Sequence, residues 1–96
     1  MTQERFSKEM GVSHADFFRL LPRAMGDTPY SVNGKTVNGE LGSGTVSIEI
    51  GEQQERRIAL LAIPYAQVTF TFGGVAENER TEFMRYFDLR FQRGGG

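Results

Sequence analysis

The sequence predicts an α+β domain in which an antiparallel β-meander of about five strands packs against an N-terminal and a C-terminal helix, in two layers. Three observations lead to this prediction. Apolar residues recur at helical spacing near both ends of the chain, they alternate with polar residues through its middle, and glycine-containing turns separate the alternating segments. Because 96 residues leave room for one hydrophobic core, we expect a single domain over residues 1–96.

The composition narrows the classes of function. Hydrophobic residues make up 39% of the chain and charged residues 24%, which is typical of globular proteins. A net charge of −1 gives no general attraction for nucleic acid or for an anionic membrane, so we expect neither as a partner. The sequence contains no cysteine, no long apolar run and no signal-peptide pattern. These features predict a soluble cytoplasmic protein.

The first quarter of the chain predicts one well-marked helix. Residues 1–11 are expected to be frayed or to form a short helix, since two of their apolar residues are four apart. The better-marked helix begins at about Ser13, which can cap its N-terminus, with Asp16 at the capping-box position. Pro22 is expected to limit or kink this helix, and Gly26 to end it.

The middle of the chain predicts the first strands. Asn33-Gly34 tolerates the positive φ angles of a tight turn, and the residues on both sides alternate, which predicts a hairpin over 30–37. In the segment 45–50, every second residue is Val or Ile and the others are polar. This pattern predicts a strand with one buried face and one face in water.

The run 58–63 is apolar throughout, and we expect it to form the next strand. Pro64 and Tyr65 are then expected to turn the chain into a last strand over 68–72. Together with the strand over 45–50, these two strands would complete the meander. A single core is expected to contain Phe17, Val46, Ile48, Leu60, Phe70, Phe72 and Phe87.

The last part of the chain predicts a helix from about Glu77, because acidic residues lie at its start and arginines toward its end. The apolar stripe of this helix would consist of Phe83, Met84, Phe87 and Phe91. Residues 86–92 also alternate as a strand does, so both assignments remain open there. Residues 94–96 are expected to form a flexible glycine tail.

Two short segments resemble known families. Residues 8–21, with Gly-Val-Ser at a bend and Phe17, Phe18 and Leu21 on the inner side, resemble the turn of helix-turn-helix DNA-binding proteins. That resemblance implies a DNA-binding regulator. The alternative is a capped helix packed on a sheet. Asp16 favours this alternative, because in a DNA-reading helix its negative charge would face the DNA phosphates.

The chain ends in Leu-Arg-Phe-Gln-Arg-Gly-Gly-Gly, which is similar to the tail of ubiquitin-like modifiers. In that family, glycines give an activating enzyme access to the terminal carboxylate, so the resemblance implies conjugation through Gly96. The alternative is an ordinary polar tail. The predicted order of elements, with a helix first and the strands in one block, differs from the order in ubiquitin-like folds.

No constellation of residues predicts catalysis. His14 is the one histidine, and with no cysteine and only scattered carboxylates no metal site or nucleophile-base pair can be assembled by spacing. The glycines match neither the phosphate-binding loop nor the dinucleotide-binding pattern. We therefore expect no cofactor, no metal and no enzymatic activity, and His14 as a surface residue.

The most informative feature is the break in alternation at 58–63. If one side of this strand faces the helices, then Ala59, Leu61 and Ile63 face the other way, bordered by Thr69 and Thr71 of the next strand. Either the helices cover both sides, or these residues form an apolar patch for a protein partner or a second copy. The sequence thus predicts a small interaction or accessory protein, with these five residues as its partner-binding site.

Overall fold

The computed structural model describes residues 3–95, which form six strands and two helices. In chain order these are β1 (Gln3–Met10), α1 (His14–Met25), β2 (Tyr30–Asn33), β3 (Thr36–Leu41), β4 (Gly44–Ile50), β5 (Gln54–Ile58), β6 (Leu61–Gly73) and α2 (Glu77–Gly95). All strand pairs are antiparallel, in the order β1-β6-β4-β3-β2, and β5 pairs with the first part of β6. The predicted α+β class, with an antiparallel sheet and a helix toward each end, is confirmed.

Strand β1 occupies the segment for which the sequence predicted a frayed end or a short helix, so the helix prediction is wrong. Gln3 to Met10 pair with Gly73 to Ala66 along the whole of β1. Phe6 faces the helices and stacks on Phe70, with ring centroids 5.2 Å apart. The segment takes this form because pairing with β6 outweighs a weak local preference for helix.

The core lies between the helices and one face of the sheet. In β4, and in β6 from Ala66 to Phe72, every second residue is buried, as expected for strands with one face in water. The buried hydrophobic residues include Phe17, Leu21, Met25, Val37, Val46, Ile48, Val68, Phe70, Phe72 and Phe87. This list confirms the predicted core with one exception. Leu60 was placed in the core, and that prediction is wrong because the residue lies on the surface.

Helix α1 begins as predicted, with the Ser13 hydroxyl accepting a hydrogen bond from the Asp16 N–H at 3.0 Å. Pro22 lies inside the helix, with its ring exposed, and the helix continues past it to Met25. Gly26 ends the helix with a φ of 60°, a conformation that glycine adopts without strain.

The hairpin predicted around Asn33-Gly34 is present, but its loop consists of Gly34 and Lys35, because Asn33 still pairs with Thr36. Gly34 has a φ of 65°, as the first loop residue of a type II′ turn requires. The opposite face of the sheet, away from the helices, carries mainly Ser, Thr, Asn and charged side chains from all the central strands.

Helix α2 resolves the ambiguity of residues 86–92 in favour of helix. Its apolar stripe packs as predicted, with Phe83 against Phe72 and Phe87 against Phe70. The helix includes Gly94 and Gly95, where the sequence predicted a flexible tail, and Gly96 lies outside the described residues.

Candidate partner-binding site

Strands β4 and β5 lie end to end along β6 and together form one long hairpin with it. Ile50 lies opposite Val68, and Gln54 lies opposite Tyr65. Between these pairs, one strand advances four residues while β6 advances three. Residues 51–53 therefore contain a bulge, which interrupts the pairing and bends the strand.

The distal part of this hairpin extends past the sheet. Residues 66–73 of β6 pair with β1, whereas residues 61–65 pair with β5 alone. We call the two-stranded segment 54–65 the arm. Its five residue pairs span about 17 Å at the usual rise of a strand. The arm accounts for the elongated shape of the molecule, which measures 47 × 23 × 21 Å.

The base of the arm is held by the first residue of α1. The backbone N–H of His14 donates to Oε1 of Gln53 at 2.7 Å. The ring Nε2 of His14 lies 2.6 Å from the carbonyl oxygen of Gly51. Because a carbonyl only accepts, Nε2 carries the proton of this hydrogen bond. His14, expected as a surface residue, is half-buried and ties the bulge to the helix.

One side of the arm carries a short polar ladder. The guanidinium of Arg56 lies 4.3 Å from the centroid of the Tyr65 ring and 3.0 Å from Oε2 of Glu9. The hydrogen bond to Glu9, followed by the charge of that carboxylate, raises the pKa of Arg56 above its ordinary value. Tyr65 donates from its hydroxyl to Gln54 at 3.1 Å. These contacts connect the arm to β1, although exposed ion pairs of this kind stabilise a fold only weakly.

The end of the arm is apolar and uncovered. Leu60 is 99% exposed, Leu61 64%, Ile58 53% and Ile63 37%. We call Ile58, Leu60 and Leu61 the tip. Large apolar side chains at a turn are uncommon on monomeric surfaces, and several together mark a contact site or an aggregation hazard. The tip is therefore the strongest candidate for an interaction site in the described residues.

The turn at the tip has an unusual first residue. Ala59 and Leu60 form the loop between the pair Ile58 and Leu61, and Ala59 has a φ of 56°. It is the one non-glycine residue with a positive φ among residues 3–95. Glycine occupies the same position in the other two-residue loops, at Gly34 and Gly42.

We expect Ala59→Gly to stabilise the arm by about 0.5–1 kcal/mol, because glycine adopts positive φ without the steric cost of a Cβ atom. Amide hydrogen exchange of the arm should slow accordingly. Gly34→Ala is the matched control, since its Cβ would meet no atom within 4 Å and only the backbone angle matters. It should destabilise the β2–β3 hairpin by a similar amount. Faster exchange in the Ala59→Gly arm would contradict the assigned turn.

The turn predicted at Pro64 and Tyr65 is wrong, since both residues lie within β6. Pro64 is opposite Glu55 and has no N–H to donate. Opposite residues in an antiparallel pair alternate between those that hydrogen-bond to each other and those whose backbone groups point away from the partner strand. Pro64 and Glu55 are of the second kind, so the ring nitrogen of Pro64 faces the open edge of the arm. Proline is tolerated there, and it hinders another strand from pairing along this edge.

The structure separates the predicted site residues into two groups. Ala59, Leu61 and Ile63 belong to the arm, and Leu61 and Ile63 are not covered by the helices. Thr69 and Thr71 are half-buried on the polar face of the sheet, where Thr69 lies 2.8 Å from the hydroxyl of Ser7. Sequence reasoning missed Ile58 and Leu60, because the position of the turn decides which residues become its tip.

The two family resemblances find little support in the fold. Residues 8–21 begin in strand β1, whereas a helix-turn-helix reader has a helix before its turn. In chain order, strand β1 precedes α1, the other five strands follow in one block and α2 comes last, unlike the hairpin, helix and strands of ubiquitin-like folds.

Among residues 3–95, no group of three or more potential ligands could hold a metal ion. No helix in that part of the chain is long and apolar enough to cross a membrane. Comparison with protein-family models, with curated proteins and with solved structures finds no match to this chain.

Proposed function

We propose that this protein is a non-enzymatic interaction protein that contacts another protein chain through the tip of its arm. The observation that carries the proposal is the exposure of Ile58, Leu60 and Leu61 at the end of a projecting hairpin. A turn exposed to water does not require large apolar residues, because polar residues or glycine form such turns at a lower cost in free energy.

The size of the tip indicates the strength of the contact. Burying the exposed apolar side chains of the arm would contribute roughly 4–7 kcal/mol by side-chain transfer values. Association costs about 4–15 kcal/mol in lost freedom of motion. The tip alone therefore supports a weak or transient contact, and a tight one requires additional surface from the arm or the sheet.

Electrostatics favour a protein partner over nucleic acid. The arm carries Arg56 and Arg57, but Arg56 pairs with Glu9 and Arg57 pairs with Glu55 at 3.4 Å. The pairing leaves little free positive charge to hold phosphate, in a chain whose net charge is −1.

The double variant Leu60→Ser, Leu61→Ser tests the proposal. Because both side chains are exposed, we expect its thermal melt to stay close to that of the wild type, while binding through the arm is lost. The control is Val32→Ser in β2, which removes an apolar side chain that is 48% exposed at a different place on the sheet. The control should bind as the wild type does.

A photoreactive residue placed at position 60, in cells of the source organism, provides the binding measurement. We expect a discrete protein adduct at position 60. This adduct should be absent when the photoreactive residue is placed at position 32 instead, and Leu61→Ser should weaken it. Equal adduct patterns at both positions would argue against the arm as the contact. Unfolding of the double variant would place the tip in the structural core instead.

A further inference from the structure

Strand β1 forms one edge of the sheet, and no strand of the described chain pairs with its outer side. It is the first strand in the order β1-β6-β4-β3-β2, and its eight residues pair with β6 without a bulge. Natural sheets usually end in a short or interrupted strand, or in one that contains proline, because a long regular edge invites another strand to pair with it. The opposite edge follows this rule, since β2 has four residues. Strand β1 does not follow it.

The hydrogen bonds of the central strands show which backbone groups of β1 are free. The N–H of Gly51 donates to the carbonyl oxygen of Gln67 at 2.7 Å, so Gln67 and every second residue after it direct their backbone groups away from β1. The residues between them therefore hydrogen-bond to β1. These bonded pairs are Val68 with Lys8, Phe70 with Phe6 and Phe72 with Glu4. The N–H and C=O groups of the alternate residues of β1, among them Arg5 and Ser7, point to the open edge.

The side chains along this edge are accessible, and they include one large ring. Residues 4–7 are all exposed. Phe6 is 37% exposed although it stacks on Phe70 and Phe72. A further strand paired with β1 would cover the ring of Phe6 and satisfy the free backbone groups.

The order of side chains makes β1 complementary to a second, antiparallel copy of itself. When Phe6 lies opposite Phe6 of the second copy, Glu4 lies opposite Lys8. Arg5 then lies opposite Ser7. No two like charges face each other, and the Glu–Lys pair, which occurs twice, is attractive. The charges of β1 hinder strands of unrelated sequence but favour a second copy of the same strand.

The backbone agrees with this register. It places Arg5 opposite Ser7, and both of these residues direct their N–H and C=O groups to the open edge, so they hydrogen-bond to each other across it. The two Phe6 residues then form a pair of the kind that does not hydrogen-bond, in which opposite side chains lie closest. Their rings therefore meet at the two-fold axis between the copies.

Helix α2 leaves room for this pairing. Phe87 packs on Phe70, so α2 lies over β6. In the joined sheet the two β6 strands are three strand spacings apart, about 14 Å, whereas packed helices need about 8–10 Å between their axes. Lys8 already bonds Asp88 of α2 at 2.7 Å, and its ammonium group has further donors for Glu4 of the second copy.

We propose that two copies of this chain pair through β1 about a two-fold axis at Phe6, so that their two sheets become one. The contact is isologous, because both copies present the same strand, and it therefore closes at a dimer. It uses no residue of the tip and does not rest on the function proposed for the arm. Because β1 ends at Met10, near the base of the arm, and runs in opposite directions in the two copies, the dimer presents its two arms at opposite ends.

Arg5→Pro tests the pairing at the backbone. Since the N–H of Arg5 points away from β6, proline removes a donor from the open edge without removing a hydrogen bond within the sheet. In sedimentation velocity from micromolar to millimolar protein, the wild type should dimerise, and Arg5→Pro should dimerise at least about tenfold more weakly. Arg5→Ala, the matched control, removes the side chain but keeps the donor, so it should dimerise nearly as the wild type does. A wild type that stays monomeric at millimolar concentration overturns the proposal, and so does equal weakening by both variants.

A charge exchange tests the register. Glu4→Lys alone makes both facing charge pairs positive, and Lys8→Glu alone makes both negative, so each variant should dimerise about tenfold more weakly than the wild type. An equimolar mixture of the two should form heterodimers, because every facing pair is then again opposite in charge. A mixture that associates no better than its two components overturns the register.

Cross-linking gives a test that does not depend on the folding of the charge variants. The chain contains no cysteine, so a single introduced thiol reports one position. In the proposed dimer, Phe6→Cys brings two thiols together in a pair whose Cα atoms lie about 4.5 Å apart, within the range of a disulfide. Mild oxidation should convert this variant to covalent dimers. Ser7→Cys, whose two thiols are offset along the strands, should cross-link at least about tenfold more slowly. Faster cross-linking of Ser7→Cys than of Phe6→Cys overturns the axis at Phe6.

Discussion

Replacing Phe70 by Ala should lower the free energy of unfolding by about 3–5 kcal/mol, the largest effect we expect of a single side chain. Phe70 is fully buried in the centre of the sheet. Its ring packs edge-on against Phe87 at 5.2 Å and is stacked by Phe6 at the same separation. Alanine would leave a cavity between the sheet and α2 that these rigid neighbours cannot fill. Urea unfolding followed by circular dichroism measures the loss.

Phe6→Ala provides the matched control, because Phe6 belongs to the same ring cluster but is 37% exposed at the edge of the sheet. Its loss should be clearly smaller than that of Phe70→Ala. A cost below about 1 kcal/mol for Phe70→Ala would show that the register of β6, and with it the pairing of the whole sheet, is assigned wrongly.

The second large effect is expected for Gly44→Ala, at the start of β4. A Cβ atom there would collide with the backbone of Gly73, the last residue of β6, and of Gly74, which follows it. Backbone atoms cannot rotate away as a flexible side chain can, so the strands have to separate locally. We expect a loss of stability of about 1–3 kcal/mol or more, measured by the shift in the midpoint of urea unfolding.

Gly11→Ala is the control for this prediction, since a Cβ atom at Gly11 meets nothing within 4 Å and its φ is not positive. This variant should be as stable as the wild type or slightly more stable, because alanine restricts the unfolded chain. Equal stability of the two alanine variants would mean that β4 and β6 are not in close contact at Gly44.

Local patterns in the sequence were sufficient for the elements whose signals are strong. The alternation of 45–50 and the apolar stripe of α2 placed the core, because burial of one face determines where large side chains go. The Ser13 cap placed the start of α1. Strand β1 was missed because its partner, β6, is more than fifty residues away, and a single sequence does not show such pairing.

The candidate site was predictable only in part. The break in alternation directed attention to Leu61 and Ile63, which the structure leaves exposed. The turn between β5 and β6 has no glycine, asparagine or proline, and Ala59 takes a positive φ that alanine seldom adopts. Without a turn signal, the apolar run 58–63 is indistinguishable from a buried strand. This is why Leu60 was assigned to the core although it forms the end of the arm.

The pairing of β1 with β6 has a consequence for the synthesis of the protein. A chain emerging from the ribosome presents β1 first, but its partner follows only after residues 66–73 have been made. Until then, the backbone hydrogen-bonding groups of β1 have no partner strand, and the ring of Phe6 has no neighbouring strand to pack against. Contacts so distant in sequence form late in folding, because a long loop must close before they stabilise anything. The strands β2, β3 and β4, whose pairings are local in sequence, can therefore form on the ribosome well before the sheet is complete.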